Sequence, residues 1–278
     1  MCGTLETSLN SILRQIDDRF EVIVVDGGST DGSFELLNRM ETENDLLRAI
    51  TLPPDKKRKL GFDRHLSIKE AEGKYVLTHI DCDDRYDDYL IPFCEVFQSL
   101  HNKLGRDLAW TGSHITMAPR NHVLQAGSYR NLRVYEDVDL WLRLMAAGEY
   151  VNLECRSFNK TIRESRSFRR RLKRQFRRRI SETRMGLDIR DRISYLFSES
   201  NTKGLISSLL LYPIAYLFAR NEGGYTLPEE FNRISRFAEE RERTNYTLEE
   251  IENVYEVSIS LENVTGDAQK LFSCADTS

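Results

Sequence analysis

No two of the five cysteines (Cys2, Cys82, Cys94, Cys155 and Cys274) are spaced as CxxC, and their number is odd. That pattern excludes a zinc ribbon and argues against a disulfide framework, so a reducing compartment fits the chain best. Only six prolines and 15 glycines interrupt 278 residues, too few for collagen-like or low-complexity sequence. Long apolar runs are missing too. The longest, Gly204 to Ala219, contains Ser207, Ser208 and Pro213 and falls short of the ~20 residues a spanning helix needs. Met1 to Asn10 has neither a basic nor an apolar stretch, so no secretory signal is read there and the expected location is cytoplasmic. What is present is globular. Hydrophobic residues make up 40% and charged residues 30%, with 13 Phe and 12 Tyr, in a length that fits one large domain or a domain with an appendage.

A formal net charge of -4 conceals a strongly uneven distribution. Arg156 to Arg184 holds 13 Lys or Arg against Glu164 and Glu182, whereas Asn221 to the C-terminus holds 13 acids against five bases. The basic run from Arg169 through Lys173 and Arg174 to Arg179 leads into the apolar stretch. Basic charge beside an apolar segment too short to span points to peripheral attachment at an anionic membrane face, at about 1 kcal/mol per Lys or Arg. The competing reading is a solvated basic helix packed on a folded domain. No nucleic-acid-binding motif accompanies the arginines, which argues against nucleic acid as a partner. The acidic tail after Pro228 reads as one or two solvated helices without chemistry. Three parts result: residues 1–155, a basic then apolar helical segment at 156–220, and an acidic helical tail at 221–278.

Within the first part, helical and extended periodicities alternate. Leu5, Leu9, Ile12, Leu13 and Ile16 recur at helical spacing, and Phe20 to Val25 is a β-branched run of the kind buried in a parallel sheet. Asp26-Gly27-Gly28-Ser29-Thr30-Asp31-Gly32-Ser33 is a turn leading to a helix with Phe34, Leu37 and Met40 on one face. Ala49 to Leu52 predicts a short strand, Leu66 to Ala71 a helix, and Tyr75 to Ile80 a buried strand ending at Asp81. Leu90 to Leu104 predicts a helix, Ala109 to Thr116 an extended stretch, and Glu136 to Ala147 a helix stopped by Gly148. Strands alternating with helices imply an α/β sandwich with a mostly parallel sheet and a helical C-terminal extension.

In such sheets, ligands bind beyond the carboxyl ends of the strands. Two acidic groups fall there, Asp26 to Asp31 and Asp81-Cys82-Asp83-Asp84. Three carboxylates within four residues repel one another unless a cation neutralises them, and hard oxygen ligands suit Mg2+ or Mn2+ bound together with substrate phosphates. A solvated, helix-capping turn is the simpler reading of the same residues. Carboxylates beside Cys82 would raise its pKa and leave the thiol unreactive. His79 reads as packed in the sheet, and His65 has no partner that the sequence names.

Four pieces in order resemble the family 2 glycosyltransferases of the GT-A fold. They are Val24-Val25-Asp26-Gly27-Gly28-Ser29-Thr30-Asp31-Gly32, Gly61-Phe62-Asp63-Arg64, Gly73-Lys74-Tyr75-Val76 running into Asp81-Cys82-Asp83-Asp84, and Glu136-Asp137-Val138-Asp139 opening a helix. The resemblance spans about residues 5–155 and implies a GT-A type α/β/α sandwich. It also implies an inverting, metal-dependent transfer of one sugar from a nucleotide-diphosphate sugar donor to a lipid-linked or glycan acceptor, in cell-envelope glycan or glycolipid synthesis. Asp26 would accept from the donor's base, with Asp31 nearby. Asp81 would lie near the ribose and Arg64 near the phosphates. Asp83 would bind the metal, with Asp84 close enough to share that role, and Asp137 would be the general base. Glu136 and Asp139 would flank it, favouring the positive helix N-terminus.

The chain departs from the family in two places. It lacks the Gln-x-x-Arg-Trp signature of polymerising members, which implies one sugar per encounter. Members also open with an apolar strand before the helix that here begins near Leu5, and Met1 to Thr4 is too short and polar to form one. The expectation is a sheet without its first strand, which residues ahead of Met1 would supply. A phosphatase of the haloacid-dehalogenase type would need DxDxT and a Rossmann dehydrogenase GxGxxG after a strand, and neither is present. The remaining rival is a catalytically inactive, membrane-associated scaffold that keeps the fold.

Overall fold

Apolar residues at helical spacing make α1 (Cys2–Leu13), whose Leu5, Leu9 and Ile12 are buried, and β-branched residues make β1 (Val22–Asp26). α2 (Ser33–Glu43), β2 (Leu47–Thr51), α3 (Leu60–Glu70), β3 (Tyr75–Thr78), β4 (Asp84–Tyr86) and α4 (Leu90–Leu104) follow. β5 (Ala109–Gly112), β6 (Ile115–Pro119), α5 (Arg120–Gln125), α6 (Glu136–Ala146), β7 (Tyr150–Leu153) and β8 (Asn159–Thr161) come next. The C-terminal part adds α7 (Phe168–Arg184), α8 (Ile189–Ser198), α9 (Thr202–Glu222), α10 (Ile234–Arg243), β9 (Asn245–Tyr246), α11 (Leu248–Val254) and α12 (Ala268–Phe272). This computed structural model describes residues 2–162, 167–199, 201–261, 264 and 267–272.

The main sheet has five strands in the order β3-β6-β5-β7-β9. β7 is parallel to β5 and to β9, while β6 runs against both β3 and β5, so the sheet is mixed rather than mostly parallel. The reversal is a tight hairpin at Ser113 and His114, both at positive φ (50° and 69°), as a primed two-residue turn requires. Ala109 to Thr116 is therefore two strands and not one. A Ser-His pair lacks the Asn-Gly signal that announces such turns.

Helices cover both faces. On one, Phe93, Phe97 and Leu100 of α4 pack with Trp110, Val151, Ile251, Leu271 and Phe272. On the other, Trp141, Leu142 and Leu144 of α6 pack with Ala109, Ala118, Val123, Tyr150, Met185 and Ile234. Each such side chain contributes about 1.5–3 kcal/mol when fully buried. The acidic tail is thus not a pair of solvated helices: it supplies β9 to the sheet, and Ile251, Leu271 and Phe272 to the core. Glu239, Glu249 and Glu250 are exposed beside these apolar anchors, which is why composition alone reads as solvated.

β1 and β2 stand apart as a parallel pair, in register from Val22 against Leu47 to Asp26 against Thr51. Among the described residues no strand pairs with the free edge of β1 or of β3. Both edges border one cavity of about 1870 Å³, lined there by Val22–Val25 and by Tyr75–Thr78. The expected gap in the sheet is present, and the flanking strands have not closed over it.

α9 outruns the apolar stretch that marks it in the sequence. Asn201 caps it by accepting from the Gly204 N–H at 2.8 Å, and it runs 21 residues despite Pro213. By length and composition it is long and apolar enough to cross a membrane. One side (Ser208, Tyr212, Ala215, Ala219) is buried, and Leu209, Leu210 and Leu217 are exposed on the other.

Candidate active site

The large cavity extends from the two sheet edges past the end of β3 to α6 and α7. Its polar walls bring together residues far apart in sequence: Asp63 and Arg64 from α3, His79 to Asp83 after β3, Glu136 and Asp137 at the head of α6, and the basic side chains of α7.

Arg64 ties two of these walls. Its Nη2 donates to Asp81 Oδ1 at 2.6 Å, its Nε lies 3.4 Å from Glu136 Oε1, and its guanidinium sits over the Tyr129 ring at 5.7 Å. Tyr129 and the surrounding carboxylates hold the Arg64 pKa above its ordinary value, although burial opposes them. Its Nη1 is buried with no hydrogen-bond partner. α3 approaches this region closely because Gly61 has no side chain: a Cβ there would lie 1.9 Å from the Arg130 carbonyl oxygen.

The acidic run after β3 is taken apart by its backbone. The Asp81 N–H donates to the Tyr86 hydroxyl at 2.7 Å, and that hydroxyl donates back to the Asp81 carbonyl. Tyr86 is fully buried, so the loop is anchored from below. Asp83 lines the cavity, but Asp84 does not. Asp84 begins β4, is buried, and accepts from Asn159 Nδ2 at 2.9 Å across the β4–β8 pair. Among the described residues no group of three His, Cys, Asp or Glu side chains is placed to hold a metal. Burial, helped by Asp81, pushes the Cys82 thiol up to about 11, in the direction its neighbours foretell.

Asp137 and His79 form a pair that the sequence conceals. His79 Nε2 lies 3.2 Å from Asp137 Oδ2, with the ring against Trp141. His79 leaves the strand at a φ of 68°, which turns its side chain to α6 instead of into the sheet. Burial holds its pKa below the usual imidazole range, outweighing the pull of Asp137. Beside it, burial and Asp137 push the Glu136 carboxyl up to about 7 despite Arg64. Asp139 faces away into a buried network with Arg130 and Arg143, at 3.1 and 2.9 Å. It holds α6 and takes no part in the cavity.

Asp26 and Asp31 do not line the cavity. Asp26 is buried and accepts from the Gly28 and Ser29 N–H groups at 3.2 and 3.0 Å, closing the turn after β1. Gly28 is required there, at a φ of 87° and with Pro54 only 2.8 Å from where a Cβ would be. Asp31 accepts from Ser33 Oγ at 2.6 Å at the start of α2. His65 Nδ1 is buried without a hydrogen-bond partner among the described residues.

The family described as Glycosyl transferase family 2 matches residues 2–104. The matched segment is less than half of the chain, and over it the sequence is similar to that family. No curated protein matches the chain. Solved structures with a similar course include S. aureus TarS 1-349, 17% identical with a TM-score of 0.46, the match covering 56% of each chain. The same fragment in complex with UDP is 16% identical with a TM-score of 0.46, over 63% of this chain and 60% of that one. The mannosyltransferase PcManGT from Pyrobaculum calidifontis, in complex with GDP-Man and Mn2+, is 16% identical with a TM-score of 0.46, over 80% and 70%. The chain spans little more than half the length of the first of these. Its own donor and acceptor must be argued from its residues.

Proposed function

We propose that the chain transfers one sugar from a nucleoside-diphosphate sugar to an acceptor hydroxyl, with inversion at the anomeric carbon. The convergence of Asp81, Asp83, Arg64 and Asp137 on one cavity carries this reading. Asp81 serves the ribose, and the unpartnered Nη1 of Arg64 donates to a donor phosphate oxygen. Asp26 shapes the Gly28–Ser29 turn beside the donor's base. Asp83 holds Mg2+ or Mn2+, which when bound neutralises charge developing on the leaving nucleoside diphosphate. Asp137 removes the acceptor's proton as the hydroxyl attacks the anomeric carbon from the face opposite the leaving group, and a single displacement inverts the centre. His79 positions the Asp137 carboxylate through Oδ2. The acceptor is a glycan or lipid-linked molecule, and the exposed leucines of α9 beside basic α7 favour work at an anionic membrane on its cytoplasmic side.

The gap between β1 and β3 favours one alternative, a protein that keeps the fold and binds nucleotide without turnover. Calorimetric titration of nucleoside diphosphates and their sugars, with and without Mn2+, tests the main reading on D83N and D137N. D83N is expected to weaken Mn2+-dependent donor binding by about tenfold or more, and D137N to leave it within about threefold, because a general base acts in the transition state and not in donor binding. Equal loss in both variants contradicts the assignment.

A further inference from the structure

Arg170, Lys173, Arg174 and Arg177 of α7 line the cavity together with Arg133 from the loop before α6. Successive spacings of three, one and three residues place the four helix residues on one stripe. None of the five side chains makes an ion pair or a hydrogen bond with a described residue. Burial and the nearby Arg133 hold Arg177 below the ordinary guanidinium pKa. Like charges gathered without a counter-charge repel, and an anionic ligand relieves them.

The stripe is positioned by Arg178, whose guanidinium stacks 4.5 Å from the centre of the Tyr135 ring. Tyr135 directly precedes Glu136 and Asp137, so α7 is fixed beside the proposed base. A hydroxyl presented to Asp137 therefore has the rest of its molecule lying along α7. The donor's phosphates belong to the other wall, with Arg64 and Asp83. Arginine forks match the several oxygens of a phosphate better than they match a neutral sugar.

Building on the transferase reading, we propose that this stripe is the acceptor subsite and that the acceptor carries a phosphate close to the hydroxyl that receives the sugar. The phosphate comes either from a lipid, reached because α7 packs on α9 with its exposed Leu209, Leu210 and Leu217, or from a soluble phosphorylated acceptor.

The test titrates inorganic tripolyphosphate into the full chain in EDTA, which removes metal-held phosphate. R174Q/R177Q is compared with R169Q/R171Q, which removes the same charge from the same helix away from the cavity. These side chains hold no partner among the described residues, so both variants are expected to keep the wild-type Tm. Tripolyphosphate binding is expected to weaken about tenfold in R174Q/R177Q and less than twofold in R169Q/R171Q, since only the first pair supplies charge-assisted contacts. Equal weakening in both, or none in either, overturns the proposal. A second arm sediments the proteins with phosphatidylglycerol and phosphatidylcholine vesicles. If R174Q/R177Q also loses phosphatidylglycerol binding, the phosphate is lipid-borne; if only tripolyphosphate binding falls, it is soluble. Mn2+-dependent nucleoside diphosphate binding is followed in parallel. Its persistence while the two variants behave alike sinks the acceptor subsite alone, and its absence from the wild type sinks the transferase reading.

Discussion

The two faces of α7 carry the same kind of residue to opposite ends. On the inner face Arg179 and Glu182, each about 1% exposed, meet at 2.7 Å, and Tyr212 of α9 donates to the same carboxylate at 2.6 Å. Arg178 and Arg192 approach the other carboxylate oxygen at 3.3 and 3.7 Å. One buried glutamate thus organises three arginines and docks α9. On the cavity face, Arg170, Lys173, Arg174 and Arg177 have no such partner among the described residues. Charge that holds the fold together is compensated within the chain, and on the proposal above the charge left uncompensated beside the cavity serves a ligand.

The largest break in that contrast is Glu182→Ala. Removing one partner of a buried ion pair leaves uncompensated charge and costs about 3–5 kcal/mol, so chemical denaturation should show a loss of that size. R174Q/R177Q, which removes two charges from the other face, should change stability by no more than about 0.5 kcal/mol. Comparable losses would mean that both faces are structural.

The next effect concerns the acids at the head of α6. The Glu136 carboxyl, raised from 4.5 to about 7 by burial and Asp137, binds more protons folded than unfolded between those values. Stability should therefore fall as pH rises from about 4.5 to 7 and level off above it. E136Q removes the titrating group, so denaturation midpoints across that window should lose this part of their slope. An unchanged slope in E136Q would place the titration elsewhere.

His79→Asn gives the smallest expected change. Asn tolerates positive φ, so the turn survives while the contact to Asp137 goes. A turnover loss of about tenfold with donor affinity unchanged is expected if His79 positions the base, since its close approach to the Asp137 carboxylate is lost. A matching loss of donor affinity would show a general disturbance of the loop instead.

Much of this was legible in the sequence for physical reasons. Buried strands and amphipathic helices announce themselves by period, so β1, β3, α4 and α6 fall close to where Phe20–Val25, Tyr75–Ile80, Leu90–Leu104 and Glu136–Ala147 place them, with strand ends off by one or two residues. Long-range placement was not legible. Nothing local distinguishes Asp83, facing the cavity, from Asp84, spent on Asn159 some 75 residues away. Nor does composition reveal that His79 turns out of its strand to meet Asp137. The stripe in α7 was readable as a spacing, but a spacing does not say what it faces.

The account's central claim is that Asp137 does chemistry in a cavity whose opposite wall binds the donor. The most direct measurement is the rate of nucleoside diphosphate release, with Mn2+, from the nucleotide sugar that binds, in wild type and D137N. A general base contributes about 10²–10⁴-fold, so release should fall by that factor in D137N while donor Kd stays within about threefold. Release at the wild-type rate in D137N would contradict the account.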